Sequence, residues 1–257
     1  MSDNTYRMNV SRDNFSKLIS LLKVFENSCT DCDIKNGLLR CRTNDRQAMI
    51  SMDLTSILEN KDLSFSLIKS KVALLKTFEL DDNVQVEDKT IVIESNESNY
   101  EFCDPFNKMI FRKPIQRYID NQFIPDDDFN SMVRISEDNL IFSHAVSNYI
   151  KKRISNITLG CLIDVVECHT DETHASFSVN ASNKEDSSVF VNNIVLNRSI
   201  NNKWFKMISL PFILDIQSDL KINCYSTNHT DVLLCKFEQS FYGITINIYT
   251  QVKLMNV

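Results

Sequence analysis

Apolar residues recur at helical spacing early in this chain. Phe15, Leu18, Ile19, Leu22 and Phe25 fall on one side of a cylinder, while Arg12, Ser16, Ser20 and Lys23 gather on the other. Ser11 occupies the N-cap position before this run, so the spacing predicts a half-buried helix entered from a strand that ends at Val10. The period then shortens to two. Residues 32–34 and 38–42 flank Asn36-Gly37, a pair that tolerates positive φ at both central positions of a tight hairpin. Further strands are predicted over 47–54 and 63–67, a helix over 68–78, and three short strands over 83–87, 90–94 and 99–103.

Residues 104–128 hold Pro105, Pro114 and Pro125, three of the four prolines in the chain, and their pattern is too irregular for a strand and too interrupted for a helix. This stretch reads as a long connector. Beyond it the first half's plan returns. A strand is predicted over 132–135, followed by a helix capped by Ser136-Glu137-Asp138 and running to about residue 153, with Leu140, Ile141, Val146, Tyr149 and Ile150 as its apolar positions. Strands over 157–167, 173–179, 187–196 and 203–208 precede a short helix over 209–216 with Pro211 in its first turn, and strands over 220–226, 232–237 and 244–250 close the chain.

Composition narrows the class. With 257 residues, 43% hydrophobic and 24% charged, the chain can bury one large core or two ordinary ones. No run of eighteen apolar residues occurs, and Met1-Ser2-Asp3-Asn4-Thr5 lacks the basic-then-apolar order of a secretory leader, so an intracellular protein is expected. Cys41, Cys103, Cys161, Cys224 and Cys235, five of the eight cysteines, lie in apolar strand-like runs where a reduced thiol behaves as a small hydrophobe.

Catalytic chemistry finds little support. Cys29 and Cys32 have the spacing of a zinc half-site that Cys168, His169 or His174 would have to complete, but that second pair lacks compact spacing. His144, His169, His174 and His229 are scattered singly, with no serine or cysteine in a nucleophile turn. Asp126-Asp127-Asp128 reads as a solvated loop, because a magnesium site needs carboxylates converging from separate elements. No phosphate-binding loop is present.

The element order resembles that of DNA sliding clamps of the PCNA type, including those of tailed bacteriophages and other viruses. The likeness is carried by residues 10–24, 43–54 and 63–86, by Asn99-Tyr100-Glu101-Phe102, and by residues 231–250 with Gly243 at the final turn. The resemblance implies an α+β fold of two tandem clamp domains, 1–108 and 129–257, joined by a connector over 109–128, with helices lining an inner face and antiparallel sheets outside. It implies a homotrimeric, non-enzymatic processivity factor that needs no cofactor. Such a ring encircles duplex DNA without reading sequence, tethers a polymerase and other peptide-motif proteins, and is placed on DNA by a clamp loader. A phage version would work in the host cytoplasm, a eukaryotic or viral one in the nucleus or at a replication site.

The same resemblance assigns site residues. Arg12, Lys17, Lys23, Lys69, Lys71, Lys76, Lys151 and Lys152 would meet the phosphate backbone. The predicted helices carry nine basic side chains, these eight and Arg153, against six acidic ones at Asp13, Glu26, Glu79, Glu137, Asp138 and Asp215. The helices are therefore net positive in a chain of net charge −6, as sequence-independent contact with DNA requires; a solvated helix face gives the same local charge. Met49, Val232 and Ile248 would form the sheet side of a partner-peptide pocket, with Phe123 and Ile124 supplied by the connector; core packing accounts for Met49 and Ile248 equally well. The strands over 99–103 and 187–196 would pair across the subunit boundary, with Tyr100 and Phe102 as contacts that core packing also explains. Two rivals are a clamp-like protein that remains monomeric and binds DNA on one basic face, and a zinc-dependent enzyme using Cys29 and Cys32.

Overall fold

Helix α1, Arg12–Phe25, forms where the spacing places it. The Ser11 hydroxyl accepts a hydrogen bond from the Asn14 amide at 3.2 Å, the N-cap geometry that satisfies an otherwise orphaned donor. Phe15, Leu18, Ile19, Leu21, Leu22 and Phe25 are each no more than 2% exposed, and α1 packs on strands β1 (Tyr6–Ser11) and β6 (Thr90–Ser95). The computed structural model describes residues 6–25, 29–35, 37–43, 48–58, 65–68, 90–95, 99–104, 109–114, 124–149, 152, 163–181, 187–200, 203–207 and 217–256. The chain divides into two compact units, one of Met1–Arg46 with Ile50–Asp126, the other of Gln47–Met49 with Asp127–Val257.

In the first unit β7 (Asn99–Asp104) and β8 (Met109–Pro114) extend the pair β1 and β6 into a sheet of order β1-β6-β7-β8. Strands β2 (Cys29–Lys35), β3 (Leu38–Thr43), β4 (Ala48–Asp53) and β5 (Phe65–Ile68) follow the order β5-β2-β3-β4. Gly37 has φ +75° at the β2–β3 turn, as the hairpin signal requires. The Leu54 amide returns to the Gly37 carbonyl at 2.8 Å, bringing the segment after β4 back to that turn and burying Leu54, Ile57 and Leu58.

The second unit repeats this order. Strands β9 (Leu140–Val146), β14 (Leu220–Ser226), β15 (Val232–Phe241) and β16 (Ile244–Lys253) run β9-β14-β15-β16, the counterpart of β1-β6-β7-β8. Strands β10 (Ile163–Thr170), β11 (His174–Ala181), β12 (Ser187–Val195) and β13 (Lys203–Met207) run β13-β10-β11-β12, matching β5-β2-β3-β4. A short strand β17, Met255–Asn256, is added beside β13. Thus the duplication read from element order is present in strand topology.

Three expectations change. Residues 132–135 are not a strand: helix α2 spans Asp126–Val133. The predicted helix over 136–153 fails in its first part, where a single 3-10 turn, Glu137–Asn139, is followed by β9; of its described residues only Asn148, Tyr149 and Lys152 are helical. Ser136 makes no side-chain cap, and the run from Leu140 to Val146 finds its partner in β14, with Phe142 opposite Cys224 and Val146 opposite Leu220. Apolar residues at 140, 141 and 146 fit either period, and long-range pairing decides between them. Third, the connector over 109–128 is regular at both ends, containing all of β8 and the start of α2.

The predicted helix over 68–78 falls outside the described residues except at Ile68, which ends β5. The strand over 83–87 and the helix over 209–216 also lie outside them.

Candidate partner and nucleic-acid surfaces

Helix α1 presents a polar side carrying Asp13, Ser16, Lys17, Ser20 and Lys23; Lys17 is half-buried and Lys23 exposed in the last turn. A cation there also complements the partial negative charge of the helix C-terminus. Asn148, Tyr149 and Lys152 are helical, with Lys152 exposed. The Asp219 carboxylate accepts the Asn148 amide at 2.7 Å, an N-cap supplied from the approach to β14. The Arg12 side chain and Lys69, Lys71, Lys76 and Lys151 lie outside the described residues.

The end of the connector is tied to the β2–β3 hairpin. A two-residue turn places Asp33 directly opposite Arg40, and the two side chains meet fork to fork, Arg40 Nε to Asp33 Oδ1 and Arg40 Nη2 to Asp33 Oδ2, both at 2.7 Å. Asp33 is fully buried and the Arg40 side chain only 4% exposed. The Ile124 amide donates to Asp33 Oδ2 at 2.7 Å, and Arg40 Nη2 donates to the Ile124 carbonyl at 3.1 Å. Asp126 then accepts from Arg40 Nη1 at 2.8 Å and from Lys35 Nζ at 2.6 Å. Burial works against the charged guanidinium of Arg40, but hydrogen bonds to Asp33 and Asp126 outweigh it and raise its pKa. Hydrogen bonds from Lys35 and then Arg40 lower that of Asp126. Ile124, expected as a pocket wall, is held here at 2% exposure.

The expected pocket residues Met49 and Ile248 are core, at 2% and 0% exposure. Val232 is half-buried, and Phe123 lies outside the described residues. Sequence reading missed a neighbouring apolar cluster in the second unit: Tyr225, Leu234 and Tyr249, against which Val133, Ile135 and Leu140 pack while remaining partly exposed. The Tyr225 hydroxyl donates to Glu137 at 3.4 Å. Burial, followed by the Glu137 charge, pushes the Tyr225 pKa up to about 12. Leu234 and Tyr249 are visible in the sequence as alternating strand positions, but their association with residues after α2 depends on the helix boundary that pattern reading misplaced.

The expected subunit edge over 99–103 is corrected by strand order. Strand β7 has β6 on one side and β8 on the other, so Tyr100 and Phe102 lie on an interior strand whose edges are already paired. Among the described residues the terminal strands of these sheets include β8 in the first unit and β12, the other expected edge, in the second. The side chains of Tyr100 and Phe102 lie outside the described residues. Among the described residues, no group of three or more His, Cys, Asp or Glu is arranged to hold a metal ion.

No protein-family model and no curated protein matches the sequence. Solved structures do match in fold. Proliferating cellular nuclear antigen from Entamoeba histolytica aligns over 98% of this chain and 100% of its own, with TM-score 0.57 and 11% identity. The antigen from Thermococcus kodakaraensis aligns over 96% and 100%, with TM-score 0.57 and 10% identity. DNA polymerase III subunit beta from Borrelia burgdorferi aligns over 97% of this chain but 65% of its own longer chain, with TM-score 0.59 and 14% identity. The chain therefore has the sliding-clamp fold, α+β, built from antiparallel sheets with few helices.

Proposed function

We propose that this protein is a DNA polymerase processivity factor: a homotrimeric ring that encircles duplex DNA, holds a polymerase near the primer end, and catalyses no reaction itself. The observation that carries this reading is the duplicated strand order, which matches clamp structures over nearly the whole chain. Tethering works through effective concentration, since a polymerase that releases the primer end stays within reach of it.

Head-to-tail assembly is assigned to β8 of one protomer and β12 of the next, each hiding the other's unpaired backbone groups. The basic residues Arg12, Lys17, Lys23, Lys69, Lys71, Lys76, Lys151 and Lys152 are assigned to the phosphate backbone, where lysines act as exchangeable point charges compatible with sliding. The partner peptide is assigned to the apolar cluster around Tyr225, Leu234 and Tyr249, whose flank of Val133, Ile135 and Leu140 is accessible. Loading onto closed DNA is assigned to a separate ATP-driven loader, since the sequence holds no phosphate-binding loop.

Native mass tests the ring directly. The expected value is three times the 29.7 kDa chain mass, and replacing Ile110 in β8 by proline, which removes a ladder donor, should yield single chains. A stable single-chain mass for the unaltered protein would favour the monomeric clamp-like reading.

A further inference from the structure

The C-x-x-C of β2 does not behave as two residues three apart on a regular strand. Such residues point to opposite faces, yet the β2–β3 ladder contains a bulge. Cys29 stands opposite Thr43 and Asp31 opposite Arg42, so β2 carries one additional residue between Cys29 and Asp31. That residue restores the phase. Cys32 is directly opposite Cys41, and Cys29 opposite Thr43 lies on the same face. The Cys41 thiol therefore has Cys29 and Cys32 as neighbours on one face, and their side chains, with burial, raise its pKa.

Cys29 and Cys41 are 2% and 0% exposed, whereas Cys32 is only partly buried. The three thiols carry no disulfide and are not arranged to hold a metal ion. Directly opposed residues of an antiparallel pair have Cα atoms about 4.5 or 5.5 Å apart, and both spacings fall within the range of about 4.4 to 6.8 Å that a disulfide spans.

We propose that Cys32 and Cys41 form an oxidisable thiol pair, a modification site at which a peroxide converts Cys32 to a sulfenic acid and Cys41 closes it to a cross-strand disulfide. In the first step the Cys32 thiolate attacks the peroxide: an S–O bond forms, the O–O bond breaks, and the departing hydroxide takes a proton to become water. Sulfur loses two electrons and the peroxide gains them. In the second step the Cys41 sulfur displaces that hydroxyl group: an S–S bond forms, the S–O bond breaks, and the Cys41 thiol proton leaves in a second water. Cys32 reacts first because it is the accessible member; the side chains of Cys29 and Cys32, with burial, keep Cys41 protonated.

The molecule contains its own control. Cys224 and Cys235 are also directly opposite one another, with sulfurs 3.5 Å apart, but both are fully buried. Proximity is common to the two pairs and access is not. Treating the full-length protein with increasing hydrogen peroxide, alkylating the remaining thiols and mapping peptides by mass spectrometry should show the Cys32–Cys41 cross-link before any change at Cys224 or Cys235. Cys41→Ser should trap the sulfenic acid on Cys32 as a dimedone adduct, and Cys32→Ser should abolish both adduct and cross-link.

Circular dichroism verifies that each variant is folded; if Cys41→Ser is not, time-resolved capture of the Cys32 adduct in the unaltered protein provides the same reading. Oxidation of Cys224 and Cys235 at the same or lower peroxide, a cross-link formed through Cys29 instead, or a Cys32 that stays reduced would each overturn the assignment.

Discussion

The carboxylate of Asp33 and the guanidinium of Arg40 share two hydrogen bonds of 2.7 Å inside the first unit, and the Ile124 backbone completes the arrangement at both its amide and its carbonyl. Two opposed strand residues thereby fix a segment far along the chain. Removing one partner leaves the other as an uncompensated buried charge, so Arg40→Met should destabilise the protein by about 3–5 kcal/mol, whereas the double change Asp33→Leu with Arg40→Met should cost less than either single change. Arg40→Lys should fail to restore stability, because an ammonium cannot reproduce the two-pronged contact. Urea denaturation measures all four.

Asp126 lies at the solvent side of the same network, with its side chain 53% exposed. Its pKa is lowered by Lys35 first and then Arg40. A depressed folded-state value means that its contribution is present above the ordinary aspartate pKa and lost as pH falls through the lower folded value. A carboxyl NMR titration should place its midpoint below that of an ordinary aspartate, and Lys35→Met should move it upward. No movement would remove Lys35 as the cause.

Tyr225 provides the opposite case at high pH. With its pKa at about 12, the folded state favours the neutral phenol. Its stabilising effect is complete below the ordinary tyrosine value of 10.0 and is lost as pH rises from there through about 12. Glu137→Gln should lower the midpoint, read by ultraviolet absorbance against a Tyr225→Phe control.

The β15–β16 hairpin turns through Tyr242 and Gly243, at φ +50° and +77°. A methyl group added at Gly243 would meet nothing within 4 Å, so Gly243→Ala isolates the backbone cost of a left-handed residue, about 1–2 kcal/mol. Gly243→Asn should cost less, since asparagine tolerates that region. Thermal unfolding of the two variants gives the comparison.

Charge reversal of Lys17, Lys23 and Lys76 to Glu should abolish stimulation of a cognate polymerase on primed DNA while leaving native mass unchanged. For every phosphate that a lysine no longer neutralises, the salt dependence of duplex binding should also fall, by a slope of about 0.9. Unaltered stimulation would remove these lysines from the DNA-facing set.

Much of this fold is legible in residue order, and the failures have identifiable causes. Helix α1 announces itself through a five-residue apolar stripe and Ser11, and the hairpins through Asn36-Gly37 and Gly243. The Asp33–Arg40 pairing is not among the sequence expectations, although a signal for it exists: a two-residue turn at 36–37 sets 33 opposite 40, where opposite charges face each other. The segment from Met132 to Val146 misleads because its apolar positions fit two periods, and only β14, distant in sequence, selects the strand. Strand β8 goes unpredicted for a related reason, since it contains Pro114 and sits in a proline-punctuated stretch. The bulge that gathers Cys29, Cys32 and Cys41 has no marker in residue type.

The strand order also dictates a schedule for synthesis. Tyr6 at the head of β1 pairs with Ser95 in β6, and Val146 at the end of β9 pairs with Leu220 in β14. The strand that begins each repeat of the sheet order, β1 or β9, therefore has a partner that emerges from the ribosome much later, and neighbouring hairpins can zip before it is enclosed. The nascent chain exposes the apolar flank of that opening strand throughout the interval, the period in which a chaperone would have the most to shield.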